Sequence, residues 1–312
     1  MSTIFSVQKN IQNAHEDSIW NVIWSPLTNK IITSSVDETI KIWNGESLQL
    51  EGVLKGLDFA IISIDLSKKE DKILSTTMGH FIEVWDIESS NVLKRINAGP
   101  INAWNGRFVN NDELVICGSD KGTLSIWNLD LADNKTLKNK NDIPVSILDT
   151  TKKEMITALS TDSLQEMVVA GSESGSLYIF DLETSQAIGE FTAHSDTIRK
   201  ISHAQNNDVI CSCSDDKRML IYDPRYKTTV MSFQEHEGWV MSTSFGSKDT
   251  TLSSASADGT VKLWDLRNKG CFETFSAHSS EVWDVSWENS ENPKLVSVGD
   301  DKTVQIYAPA SS

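Results

Sequence analysis

Seven short runs of β-branched and aliphatic residues, each closed by an aromatic side chain, pace this chain: TIKIW, FIEVW, TLSIW, SLYIF, RMLIY, TVKLW and TVQIY. The closing aromatics are Trp43, Trp85, Trp127, Phe180, Tyr222, Trp264 and Tyr307, at intervals of 42, 42, 53, 42, 42 and 43 residues. Their composition is that of a pleated, packed surface. The clearest unit predicts four strands: 240–245 innermost, 251–256 second, a tight turn at Asp258-Gly259, then 260–264 third and 271–275 outermost. Inside/outside alternation is weak, as it is where both faces of a sheet are buried. Four strands repeated at a period of roughly 40–45 residues describe one blade of a circular array. The expected fold is therefore all-β, a seven-bladed β-propeller occupying residues 1–312 as one domain. Only five residues follow Tyr307, too few for a last outer strand. The segment 4–7 is predicted to supply that strand from the N-terminus, closing the ring and removing an exposed sheet edge.

Polar residues recur at fixed places inside four of the repeats. The sets are His15, Thr33, Asp37, Trp43; His194, Ser212, Asp216, Tyr222; His236, Ser254, Asp258, Trp264; and His278, Ser297, Asp301, Tyr307. An imidazole can bridge the turn aspartate and the hydroxyl, while the hydroxyl accepts the indole N–H, so each buried polar group finds a partner. These sets resemble the WD-repeat signature. Three repeats depart from it. The second has Leu57 and Gly79 at the histidine and aspartate places, the third Gly99 and Lys121 with Asp120 one residue early, and the fourth Ser174 with a terminal Phe180. Half a buried polar chain costs more than none, so blades two to four are expected to hold by apolar packing alone. Four interior copies of one His/hydroxyl/Asp set read as structure rather than as an active site, and no enzymatic role is expected.

Charge and cysteines narrow the function classes. With 44 acidic against 28 basic residues the net charge is −16, which disfavours direct binding to a phosphate backbone. Lys135, Lys138, Lys140, Lys152 and Lys153 read as a solvated face. No apolar run approaches the ~20 residues that cross a bilayer, and the N-terminus lacks a signal-peptide pattern, so a soluble intracellular protein is expected. Cys117, Cys211, Cys213 and Cys271 suit a reducing compartment, and Cys211 and Cys213, two apart on a strand, are expected as small core side chains. Neither metal-ligand spacing nor a phosphate-cradling loop is present, so no cofactor, metal or small-molecule substrate is expected. The one long interval contains a polar, lysine-rich segment, 131–142, expected as a surface loop joining blades three and four. Its Asn134-Lys135-Thr136 sequon is irrelevant inside a cell.

Binding is then the default function. Five residues beyond each histidine place lie Trp20, Ile62, Trp104, Arg199, Met241 and Trp283, expected at the channel mouth, with Trp239 and Phe59 nearby. Trp and Arg dominate interface energies, so these are the candidate partner-binding residues, whereas Trp24 and Trp287 are expected in the core. Asp120, Glu173, Asp215 and Asp300, each one residue before the turn position, are expected to ring the same face. An apolar floor with an acidic rim suits a peptide whose aromatic or aliphatic anchor stands beside Arg or Lys.

The segments AHEDSIWNV (14–22), INAGPINAW (96–104), AHSSEVWDV (277–285) and LVSVGDDKTVQIY (295–307) resemble the small WD-repeat subunits of superkiller complexes, and the resemblance covers the whole chain. It implies a scaffold whose partners are a helical-repeat scaffold subunit and an RNA helicase, in an assembly that feeds messenger RNA to the cytoplasmic exosome. It also implies Paf-complex subunits as nuclear partners, a fungal role in meiotic recombination, and both cytoplasmic and nuclear localisation. A substrate receptor of a ubiquitin ligase and a histone-tail reader are the alternative readings, both common on propellers.

Overall fold

The computed structural model describes residues 4–99, 103–129, 142–206 and 209–310. Among them every regular element is a strand, and twenty-eight strands form seven four-stranded antiparallel sheets arranged as a seven-bladed propeller. Blade one is β2 (Ile19–Trp24), β3 (Lys30–Ser35), β4 (Ile40–Asn44) and β5 (Leu50–Leu54), paired in that order from the channel outward. Blade six repeats it with β22 (Val240–Phe245), β23 (Thr251–Ser256), β24 (Val261–Asp265) and β25 (Gly270–Phe275). The turn between β23 and β24 uses Gly259 at φ +79, where a side chain would be strained.

Packing between blades explains the weak alternation. Ile32, Ile40, Ile42 and Leu54 of blade one form one buried cluster with Ile61, Ile64, Ile73 and Trp85 of blade two. On its other face blade one sends Val22, Trp24, Ile31 and Trp43 against Val296, Val298, Val304 and Ile306 of blade seven. Each closing aromatic is thus inserted into the preceding blade. A side chain such as Trp264, with none of its surface exposed, contributes roughly 4–6 kcal/mol by burial alone. Cys211 and Cys213 are buried in the cluster that Trp264 completes, as small core side chains.

The ring closes through β1 (Phe5–Ile11), which pairs with β28 (Val304–Pro309) from Phe5↔Pro309 to Ile11↔Val304, with a bulge between Val7 and Lys9. Phe5 meets Trp287 edge-on at 5.7 Å, and its N–H donates to Glu273 of blade six at 2.9 Å.

The long interval lies elsewhere than expected. It falls inside blade three, between β12 (Thr123–Asn128) and β13 (Ser146–Asp149), the third and fourth strands of that blade. The four-residue SILD strand carries no aromatic beat, so nothing in the repeat marks it. Of the segment 131–142 only Asp142 is among the described residues. Its N–H donates to Asn97 O and its carboxylate accepts from Asn97 N, both at 2.8 Å, at the end of β9 (Val92–Asn97) in blade two. Lys135, Lys138, Lys140 and the 134–136 sequon lie outside the described residues.

Candidate functional site: the channel mouth and its polar staples

The polar sets take a common geometry. His15 Nδ1 is 2.9 Å from Asp37 and Nε2 2.8 Å from Thr33 Oγ1, which accepts Trp43 Nε1–H at 3.0 Å. In blade six the corresponding distances are 2.8, 2.7 and 2.9 Å. In blade seven they are 3.0 and 2.6 Å, with Tyr307 OH at 2.9 Å from Ser297. Burial pushes the Asp37 carboxyl up, but hydrogen bonds from His15, Thr39 and the Glu16 N–H outweigh it and hold the group well below the usual carboxylate range. Blade five differs. His194 reaches Asp216 and Ser212 at 2.9 Å, yet among the described residues Tyr222 makes no hydrogen bond to Ser212. Its ring is instead stacked on Phe191, centroids 3.9 Å apart, and that stack fixes the phenol's direction.

Blades two to four do not lose the chain together, contrary to the expectation of apolar packing alone. In blade two Leu57 is buried in the histidine place and Gly79 admits the Phe59 ring, which a Cβ would meet at 2.0 Å. Trp85 Nε1 nevertheless donates to Ser75 Oγ at 3.1 Å, so half the chain survives. Blade three has Cys117 in the hydroxyl place, and the buried Trp127 Nε1 finds no partner among the described residues. Only blade four has apolar residues, Ala170 and Phe180, in both of those places. The reading missed Ser75 because it followed the histidine and aspartate places alone.

The inner strands enclose a channel of about 890 Å³, and its wall includes Trp20, Ile62, Trp104, Arg199, Met241 and Trp283. Thr157 of β14 (Ile156–Thr161) supplies the contribution of blade four, the remaining blade. Sequence reasoning passed over it because the 53-residue step before Phe180 breaks the spacing, and no residue was assigned to the histidine place of repeat four. Trp20 and Trp283 face one another with ring centroids 5.7 Å apart. Neither indole N–H has a partner among the described residues, whereas the core pair is satisfied: Trp24 Nε1 donates to Asn29 at 2.9 Å and Trp287 Nε1 to Ser244 O at 3.2 Å. Met241 lines the channel but is 6% exposed. Trp239 is 48% exposed and lies against Arg199 of the channel wall.

The expected acidic ring is only partly free. Asp215 is buried and clamps Arg199, accepting from Nε at 2.7 Å and Nη2 at 2.6 Å. That guanidinium lies 5.3 Å from the Trp239 ring centroid. Arg199 is therefore a strut under Trp239 rather than a free cation, and Asp215 is not a rim charge. Asp120 is half-buried with one oxygen unpartnered. Glu173 and Asp300 are exposed. Glu173 accepts the Met155 N–H at 3.2 Å, and Asp300 accepts from Ser18 and Ser280.

Two arrangements escaped sequence reasoning. Lys200 Nζ meets Asp284 at 2.5 Å, and the same carboxylate accepts Ser242 Oγ and Val22 N, joining blades five, six, seven and one. The partners are separated by 84 residues, beyond any motif. On the opposite face, first-turn carboxylates accept amides of the preceding blade: Glu70 from Leu27 and Thr28, Asp112 from Lys68, and Asp249 from Gln205 and Asn206. Their only signal was an acidic residue recurring in that turn.

Comparison with known proteins gives a consistent picture. Residues 62–239 match the model of the Nucleolar protein 10-like, N-terminal domain, and residues 6–44, 227–265 and 269–308 match the WD domain, G-beta repeat. The chain is 26% identical over 202 residues to WD repeat-containing protein VIP3 of Arabidopsis thaliana, covering 62% of each. It is 27% identical over 207 residues to WD repeat-containing protein SL1-17 of Schistosoma mansoni, covering 64% of this chain and 65% of that one. Against the Denticleless protein homolog of Danio rerio it is 25% identical over 228 residues, covering 62% and 35%. The matched stretch is under two thirds of the length of each of these relatives.

Proposed function

Because the chain belongs to the family of WD-repeat β-propellers, whose Nucleolar protein 10-like form covers its middle blades, we propose that it is a non-enzymatic scaffold that captures a partner peptide at the channel mouth. The observation that carries this reading is the contrast between two tryptophan sets. Trp24 and Trp287 are buried with their N–H groups bonded, while Trp20 and Trp283 line the mouth with theirs buried and unpartnered among the described residues, and the exposed Trp239 rests on Arg199 of the same wall. Large aromatic surfaces of this kind carry most interface energy. Exposed Glu173 and Asp300 favour an anchor flanked by Arg or Lys.

Within that class the scaffold belongs to a superkiller-type complex, assisting exosome-mediated 3'–5' decay of messenger RNA in the cytoplasm, and to the Paf complex in the nucleus. Its partners are a helical-repeat scaffold and an RNA helicase. What supports this is the sequence resemblance over segments 14–22, 96–104, 277–285 and 295–307, and a net charge of −16 that leaves RNA to other subunits. A pull-down from lysate tests it, run with the wild type and with Trp104→Ala and Trp283→Ala. Recovery of a helical-repeat protein with a helicase, lost in both variants while circular dichroism is unchanged, is the expected result. A cullin adaptor or nucleosomes in their place would replace this reading with a ubiquitin-ligase receptor or a histone-tail reader.

A further inference from the structure

Blade four carries, on its upper turn, residues that stand where the other blades place the ends of their staple. Ser174 occupies the turn position of Asp37, Asp216, Asp258 and Asp301, and Lys152, 22 residues earlier like His15 before Asp37, occupies the histidine place. Both are exposed. Lys152 Nζ donates to Ser176 Oγ at 2.9 Å, and Ser176 Oγ lies 3.4 Å from Ser174 Oγ, so the ammonium is one hydroxyl away from Ser174. Ser174 itself donates to Glu154, which also accepts from Ser172 at 3.2 Å. The blade thus keeps a cation and a hydroxyl where four others keep an imidazole and a carboxylate, and a neighbouring glutamate fills the anionic place.

We propose that Ser174 is a phosphorylation site, and that its phosphate takes the place of the missing aspartate, pairing with Lys152 and releasing Glu154. In the transfer a protein kinase joins Ser174 Oγ to the γ-phosphorus of ATP. The bond from that phosphorus to ADP breaks, ADP departs, and the hydroxyl proton leaves to the kinase's base. The product carries about −1.5 to −2 charge and three acceptor oxygens, which project beyond Oγ toward the ammonium. Of the nearby carboxylates, Glu173 is bonded to the Met155 N–H and Glu190 to Thr151 Oγ1. Glu154 is the one bonded to Ser174, and like-charge repulsion expels it. Each bond present now has one ionised partner, the Lys152 ammonium on Ser176 or the Glu154 carboxylate on Ser174, and the phosphate replaces them with a contact in which donor and acceptor are both ionised. The proposal stands on this turn alone and does not depend on which partner the channel mouth holds.

The full chain with phosphoserine inserted at position 174 during translation, compared with the unmodified chain and with Ser174→Ala, tests the pairing. Each is labelled with acetic anhydride, and the acylation of Lys152 is read against that of exposed Lys153 by mass spectrometry. A phosphate beside Lys152 holds its ammonium protonated, and the Lys152-to-Lys153 ratio falls about tenfold, as one unit of pKa requires. Ser174→Ala leaves the ratio unchanged. A ratio unaltered by phosphoserine overturns the pairing. Mapping of the protein isolated from its own cells with phosphatases inhibited checks the site, and a peptide spanning Ser174 that bears no phosphate overturns the assignment.

Discussion

Trp85 Nε1 donates to Ser75 Oγ at 3.1 Å in a blade that has leucine in the histidine place and glycine in the aspartate place. The hydroxyl and the indole therefore form a unit that outlives the other half of the staple. Ser75→Ala leaves an indole N–H in a side chain only 1% exposed with no acceptor. The expected loss is about 1–3 kcal/mol of unfolding free energy, read from urea denaturation. An unchanged midpoint would mean that the bond is idle.

Glu83 gives stability an unusual pH slope. Burial pushes its carboxyl up to about 7, against the Arg95 guanidinium, whose Nε is 3.1 Å away. The folded pKa is raised above the unfolded one, so the protonated group favours the fold. That contribution is complete below about pH 4.5 and is lost as pH rises through 7. Glu83→Gln, which keeps the shape without the charge, is expected to raise the melting temperature at pH 8 and to leave it nearly unchanged at pH 4.5. Equal shifts at both pH values would remove the charge from the explanation.

The staples have the opposite slope. Burial raises the Asp301 carboxyl, yet bonds from His278, the Ser279 N–H and Thr303 hold it at about 2. A depressed carboxylate stabilises the fold above its unfolded pKa, and that stability is lost as pH falls from about 4 to 2. Burial also pushes His203 down to about 4, so the unfolded chain takes up this proton first, and stability falls from about pH 6.5 to 4. His203→Gln should flatten the upper part of the acid limb and Asp301→Asn the lower part. Fluorescence-monitored acid titrations of the two variants separate these windows.

The positions of blades and staples were legible because they repeat: a step of 42 or 43 residues, broken once by a step of 53, spaces the closing aromatics, and a count of 18 or 19 residues from His15, His194, His236 and His278 reaches the hydroxyls they bond. A count of five residues beyond each histidine place gave six of the seven channel-mouth side chains, and failed at Thr157, where the 53-residue step breaks the spacing. What escaped was pairing without period. Lys200 and Asp284 meet across three blades, Asp215 turns inward to Arg199 instead of out to solvent, and β13 is too short and too plain to announce that the long segment precedes it. Periodicity reports what each blade shares, whereas the site is made of what individual blades do differently.

Closure predicts a large effect from a small deletion. Residues 5–11 supply the outer strand of blade seven, and Phe5 packs on Trp287. Removing residues 1–10 exposes the edge of β28 together with that aromatic contact. Loss of several kcal/mol, a melting temperature lower by roughly 10 °C or more, and aggregation through the bare edge are expected. Calorimetry and light scattering check them, and a truncated chain that melts where the full one does would show that the ring holds without its latch.

Asp215 offers a way to weaken the mouth without touching its aromatic surface. It accepts both Nε and Nη2 of Arg199, whose guanidinium supports the half-exposed Trp239. Asp215→Asn keeps the size but gives one acceptor oxygen and no charge, so the fork-to-carboxylate clamp is lost. Arg199 is then free to leave the ring, and Trp239 loses its platform. Partner capture is expected to fall about tenfold, equivalent to about 1.4 kcal/mol. The cause is isolated by a double-mutant cycle. In a Trp239→Ala background, where there is no ring to hold, Asp215→Asn should cost little further capture. If it costs the same with and without Trp239, Asp215 acts through the charge it withholds from the mouth and not through the strut.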